Sequence, residues 1–276
     1  MTWIILRILI FFVLAWWALL YVMQDRVMFP RDLLPKINHP APPPQTVVLT
    51  RPIEGGNVEA WYVPAPDASA QHPAPLIVFF HGNAELIDMQ DWLIDMYRPM
   101  GVSLLLVEFR GYGRSAGHPS QKAFHEDAAY FVEQVLRRPE VDGARLVYHG
   151  RSLGAAIAAD LVKHRQPAAM IMQSTFASGA AMAHGFAAPG FLMRNPFRTD
   201  RALAGYNGPV LLLHGAHDSI IPVKHSRRLI KIIPHAKLIE YNSDHNDFPG
   251  MSNVRKYEND LRAFLTEHGI IKDIDE

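Results

Sequence analysis

The sequence predicts an α/β fold with a mostly parallel central sheet and helices on both faces, preceded by one N-terminal transmembrane helix. Three observations carry that prediction. From residue 76 onward, short unbroken apolar runs alternate with helical segments, as βαβ units require. Three of those runs end in the same dipeptide, His81-Gly82, His149-Gly150 and His214-Gly215, which puts glycine bends at strand ends, on the edge where open α/β sheets bind ligands. Before all of this, residues 8–23 (ILIFFVLAWWALLYVM) form an uncharged apolar run, extended by residues 3–6 with only Arg7 between.

That first run approaches the roughly 20 apolar residues needed to cross hydrocarbon. Arg7 can snorkel to one headgroup layer, and Trp16, Trp17 and Tyr21 suit the other. A cleaved signal peptide is the rival reading. The apolar core is long for one, and Tyr21, Val22, Met23 and Gln24 are too large for a small-residue cleavage site. The expectation is a transmembrane signal-anchor over 1–23. Arg26, Arg31 and Lys36 after the run outnumber Arg7 before it, which leans towards a cytoplasmic catalytic domain. Residues 24–45 hold Pro30, Pro35, Pro40, Pro42, Pro43 and Pro44 and read as a semi-extended proline-rich tether.

The globular part is expected over 46–276. TVVLT and VEAWYV, separated by EGGN, read as a hairpin. The strands that follow are expected at 76–80, 102–109, 145–149, 168–172, 209–214 and 236–241, with helices at 86–97, 121–138 after a cap at Ser120, 153–164, 223–232 and 253–268. Unbroken apolar strands of this kind are covered on both faces. Residues 174–207 interrupt the alternation and carry Phe176, Met182, Phe186, Phe191, Leu192, Met193 and Phe197. They read either as short helices packed on the core or as a small cap over a substrate entrance.

Composition narrows the function. Twenty-seven basic residues balance 27 acidic ones, so the charge offers nothing to nucleic acid, and no nucleic-acid motif is present. With no cysteine, a disulfide frame, a thiolate zinc site and a cysteine nucleophile are all excluded.

The pattern G-x-S-x-G occurs twice, as GRSLG at 150–154 and GRSAG at 113–117. A nucleophilic serine of this kind sits on a tight turn from a strand directly into a helix. Ser152 has that setting: RLVYH leads straight into Gly150, and an alanine-rich helix follows. Ser115 lies beyond its strand in RGYGRSAGHPS, where Pro119 biases His118 away from helical geometry, so it reads as a loop residue. A serine hydroxyl needs a base, and the base needs a carboxylate to fix its tautomer. In this architecture the chain order is Ser, acid, His, which selects Asp218 in HGAHDSIIP and His245 in NSDHND, with Asp244 and Asp247 as rival acids. The oxyanion of the tetrahedral intermediate then calls for backbone donors, expected at Leu153 and at Asn83 in HGNA, with Ala84 the alternative.

HGNA, RGYGRSAGHPS, GRSLGA, STF, HGAHDSIIP and DHND, in that order, resemble the α/β-hydrolase family, and most closely its membrane-tethered ABHD-type serine hydrolases, relatives of protein depalmitoylating thioesterases. The resemblance implies Ser152 as nucleophile, Asp218 as acid and His245 as base, with the RGYG segment as a non-catalytic loop. It also implies hydrolysis of an ester or thioester through an acyl-enzyme, with no cofactor or metal. The expected partners are an acyl ester or thioester, such as a lipid or lipidated protein, and the membrane itself. A peptidase of the same fold and an inactive membrane-bound scaffold are the alternatives.

Overall fold

The computed structural model of the chain describes residues 2–34, 41–183, 185 and 187–272. Residues 35–40 of the expected tether and Phe186 of the expected cap lie outside them. Helix α1 spans Thr2–Met28 with none of its residues buried, so its length of about 40 Å stands clear of the globular part except near its end. It continues five residues past the apolar run. Phe29, directly after it, is 2% exposed and packs edge-on against Phe124 and Phe197, so the core of the molecule begins within the stretch read as a tether.

Among the described residues the sheet has eight strands in the order β1-β2-β4-β3-β5-β6-β7-β8. β1 (Val47–Ile53) and β2 (Gly56–Val63) form the expected hairpin, and β2 also runs antiparallel to β4 (Ser103–Val107). The remaining pairings are parallel and join β4, β3 (Ala74–Phe80), β5 (Val141–Arg151), β6 (Ala169–Gln173), β7 (Val210–Gly215) and β8 (Ala236–Tyr241).

The period of two along a strand divides the core into two layers. Leu76, Val78 and Phe80 of β3 face one layer, with Phe29 and residues of α3 (Gln121–Leu136) and α4 (Leu153–Leu161). Ile77 and Phe79 face the other, with α2 (Asp91–Tyr97) and α8 (Val254–Glu267). Ser120 caps α3 through its side chain, which accepts the Ala123 N–H at 3.1 Å.

Among the described residues there are three further short α-helices. α5 (Gly179–Ala183) and α6 (Thr199–Leu203) belong to the segment between β6 and β7, and α7 (Lys224–Leu229) follows β7. The segment that carries α5 leaves the carboxyl end of β6, immediately beside the end of β5.

Candidate active site

The turn from β5 into α4 is dictated by size. A Cβ added at Gly150 would lie 2.5 Å from the Ala155 backbone, and one at Gly154 would lie 2.0 Å from the Phe80 carbonyl oxygen and 2.4 Å from that of His81. Only glycine at both positions lets the helix start this close to the end of β3. Ser152 between them takes φ 54°, ψ −114°, in the left-handed half of backbone space, where a non-glycine residue costs about 1–3 kcal/mol and clusters at functional turns. Its N–H donates to the Gln173 carbonyl at 2.8 Å, which ties the turn to β6. Leu153 begins α4, so its N–H belongs to the helix N-terminal set that lacks an intrahelical acceptor.

Ser115 has a different environment. Its hydroxyl accepts the Glu59 N–H at 3.0 Å, and the glycines around it, Gly111, Gly113 and Gly117, all have positive φ. It closes a glycine-rich loop onto β2. The same loop has a task at the site: the Tyr112 hydroxyl donates to Asn83 Oδ1 at 2.7 Å, while Asn83 Nδ2 donates to the Met28 carbonyl at 2.8 Å. Asn83, in the turn after β3, is thus held from one side by the RGYG loop and from the other by the last residue of α1. Ala84 follows it with φ 59°.

At the ends of β7 and β8, Asp218 and His245 meet. His245 Nδ1–H donates to Asp218 Oδ2 at 2.7 Å, and both residues are buried. That bond leaves Nε2 as the acceptor of the neutral ring. The other Asp218 oxygen accepts the N–H groups of Ile220 at 3.0 Å and Ile221 at 2.6 Å, and His214 Nε2 stands 3.3 Å from Oδ2. Burial acts to raise the Asp218 carboxyl, but hydrogen bonds from His214, His245 and Ile221 outweigh it and hold the group well below the usual carboxylate range. Asp244 accepts the N–H groups of Ser219 and His245, and Asp247 accepts that of Asp244, so these carboxylates shape the loop carrying the histidine.

The remaining strand-end histidines are struts. His81 stacks on Phe109 and bridges the Gly82 carbonyl at 2.8 Å and Glu108 at 2.9 Å. His149 is fully buried against Tyr97, and desolvation pulls its ring down to about 3.

Two residues that motif reasoning passes over link the pieces. Arg151, the variable position before Ser152, is ion-paired with Glu85 and donates from Nη2 to the His245 carbonyl at 3.1 Å. Glu85 in turn accepts the Gly82 N–H at 2.9 Å. One guanidinium, from the residue next to Ser152 in the chain, therefore links the turn after β3 to the loop after β8. Its position inside G-x-S-x-G was the only available signal. Among the described residues, no group of three or more His, Asp or Glu side chains is placed to hold a metal ion.

Comparison with known proteins agrees with this architecture. Residues 71–196 match the family model described as serine aminopeptidase, S33. An uncharacterised protein of Mycobacterium tuberculosis is 31% identical over 229 residues, covering 81% of this chain and 80% of that protein. The α/β hydrolase domain-containing protein WAV2 of Arabidopsis thaliana is 29% identical over 79% of this chain and 78% of its own. Among solved structures, esterase 2 of Thermogutta terrifontis superposes with a TM-score of 0.69 at 17% identity, over 86% of this chain and all of that one. An esterase of Pyrococcus furiosus gives 0.65 at 14% identity, over 85% and 97%. The sheet order, the strained serine between two obligatory glycines and this relatedness converge, and the chain belongs to the α/β-hydrolase family.

Proposed function

We propose that the chain is a membrane-anchored serine hydrolase that cleaves carboxylic ester or thioester bonds of lipophilic acyl groups through an acyl-enzyme. The reading assigns 1–23 to a signal-anchor, 24–45 to the proline-rich tether, whose start is fastened to the domain through Phe29, and 46–276 to the hydrolase domain, with a cap over 174–207. On the count of basic residues it puts that domain on the cytoplasmic side. The observation that carries the chemistry is the buried His245–Asp218 hydrogen bond, at the same sheet edge as the strained turn of Ser152 and tied to it through Arg151.

In this reading His245 Nε2 takes the Ser152 hydroxyl proton as Oγ attacks the substrate carbonyl carbon. The oxyanion that forms is met by the N–H groups of Leu153 and Asn83, each worth about 10²–10³ in rate. As the intermediate collapses, His245 passes the proton to the departing alcohol or thiol, leaving Ser152 acylated. Water, deprotonated by the same ring, then releases the acid and restores the serine. Asp218 stays ionised throughout, which its accepted hydrogen bonds favour. An ester substrate is supported by the fold shared with the two esterases; the Thermogutta enzyme is phosphorylated by paraoxon, and the reading predicts that the same class of reagent modifies this chain at Ser152.

The family model's description favours one second reading, hydrolysis of an amide at a free amino terminus. Capturing that amine takes an uncommitted carboxylate. Glu85, Asp218, Asp244 and Asp247 on the loops of this edge are each engaged by Arg151, His245 or backbone N–H groups.

The test is labelling of the full chain by a fluorophosphonate, followed by turnover of ester, thioester and aminoacyl amide series of increasing acyl length. Ser152→Ala is expected to abolish labelling and Ser115→Ala to retain it; undiminished labelling of Ser152→Ala overturns the assignment. Asp218→Asn should lower kcat by roughly 10⁴-fold, and a comparable loss from Asp247→Asn instead would move the acid.

A further inference from the structure

Helix α1 carries no fully buried residue, and only positions from Trp17 onward are half-covered by the domain, so most of the apolar surface of the run at 8–23 faces no other part of the described chain. Its uncharged run ends at Gln24, Asp25 and Arg26, and Trp17 lies about 12 Å along the axis before Asp25. A segment of the region after β6 runs beside this stretch. Trp17 Nε1–H donates to the Ala187 carbonyl at 3.1 Å. Gln24 Nε2–H donates to the Leu192 carbonyl at 3.2 Å, and Gln24 Oε1 accepts the Arg194 N–H at 2.7 Å. The Arg194 guanidinium pairs with Asp25 at 3.0 Å. Residues 187–193 therefore start level with Trp17, well inside the apolar run, and end level with the first charges after it.

Their chemistry suits that depth. The segment reads AAPGFLM, without a charged or polar side chain, and Phe191 is 81% exposed. Pro189 has no N–H, and those of Ala188, Leu192 and Met193 are taken by the carbonyls of Ala183, Pro189 and Gly190. Apolar side chains on a backbone with half of its donors satisfied internally suit the lipid interface, where headgroups and water can meet the rest. Arg194 marks the point where the segment regains water.

We infer that residues 187–193 are a second membrane contact, seated in the same leaflet as the last turns of α1, so that the catalytic edge of the sheet opens onto lipid. The inference rests on the membrane reading of α1 given above. The occupant of this surface is the bilayer itself, because depth is set by contacts to a helix whose own apolar run is bracketed by charges. The consequence for substrate is direct. The Asn83 side chain is bonded to the Met28 carbonyl, so the turn proposed to hold the oxyanion lies at the membrane end of the domain. A lipophilic ester then reaches Ser152 from the leaflet without crossing water.

The chain has no cysteine, so single cysteines can be introduced and labelled without a background. Full-length Phe191→Cys and Ala187→Cys, carrying a nitrobenzoxadiazole fluorophore, are reconstituted into phosphatidylcholine vesicles beside Asp67→Cys, which sits in the loop before β3 at the opposite edge of the sheet. The expected result is blue-shifted emission at 187 and 191, loss of quenching by aqueous iodide there, and quenching by spin-labelled lipid, with 187 responding to the deeper spin label. At 67 the emission should be that of water. Emission and iodide access at 191 equal to those at 67 overturn the inference, as does shielding that occurs only in native membranes and not in pure lipid, which would point to a protein partner. The readout is independent of turnover, so a chain that proves inactive on every ester leaves this result standing on its own.

Discussion

Arg151 illustrates how a site can depend on a residue that performs no chemistry. It is largely shielded from water, burial pulls its guanidinium below its ordinary value, and its charge is balanced by Glu85. Removing one partner of a buried pair leaves the other uncompensated. In Glu85→Gln, Arg151 is expected to shift, and with it both the Gly82 N–H contact and the His245 carbonyl contact. A displacement of about 1 Å at reacting groups costs on the order of 10²-fold in rate. The expected outcome is therefore a loss of that size in kcat on a short soluble ester with KM little changed, whereas an effect on KM alone would place Glu85 in substrate binding instead. The variable position of a motif carries no chemical label in a sequence, which is why the serine could be singled out from its neighbours while the arginine beside it could not.

At the scale of elements, the turn between β5 and α4 makes the sharpest demand. In Gly154→Ala the new Cβ would meet the Phe80 carbonyl oxygen, a backbone atom that cannot rotate away. Overpacking of this kind costs about 1–3 kcal/mol, so the variant's urea midpoint should fall, and an unchanged midpoint would show that α4 can slide without cost. Strands that are unbroken apolar runs were legible: β3, β6 and β7 lie within a residue or two of the runs at 76–80, 168–172 and 209–214, whereas β5 starts four residues before the run at 145–149, through the polar Asp142 and through Gly143. The helix expected over 86–97 divides into a short 3-10 turn and α2, because Gln90 between them does not hold helical geometry. What no local pattern encodes is contact across the chain. The spacing of GRSAG gives no sign that its loop offers Tyr112 to Asn83, nor does a proline-rich stretch reveal that Phe29 before it fills a slot between Phe124 and Phe197.

His149 is one group through which acid should act on the whole molecule: burial holds its ring down to about 3, while the unfolded chain takes up a proton below about 6.5, and the buried His225 is shifted in the same direction. Between those values the unfolded state binds one more proton, so stability falls as pH drops, with a slope approaching about 1.4 kcal/mol per pH unit from this group and none above neutrality. Chemical denaturation across that range should show the slope, and His149→Asn should flatten it; an equal slope in both would assign acid sensitivity elsewhere. Two truncations separate the helix from its last turn. Removing 1–23 keeps Met28 and Phe29, whereas removing 1–29 empties the Phe29 slot and takes away the Met28 carbonyl that accepts from Asn83. The second should be less stable by about 3–5 kcal/mol in urea, and equal midpoints would show that Phe29 is dispensable. Because that last turn is bonded to Asn83, Gln24 to Leu192 and Asp25 to Arg194, there is no slack between the helix and the domain it carries. A leash lets its load sweep a volume, whereas a rigid mount holds it at one altitude. On the membrane reading proposed above, that altitude would work as a ruler: acyl bonds lying at one depth would come within reach, and chemically identical bonds displayed higher or lower would not.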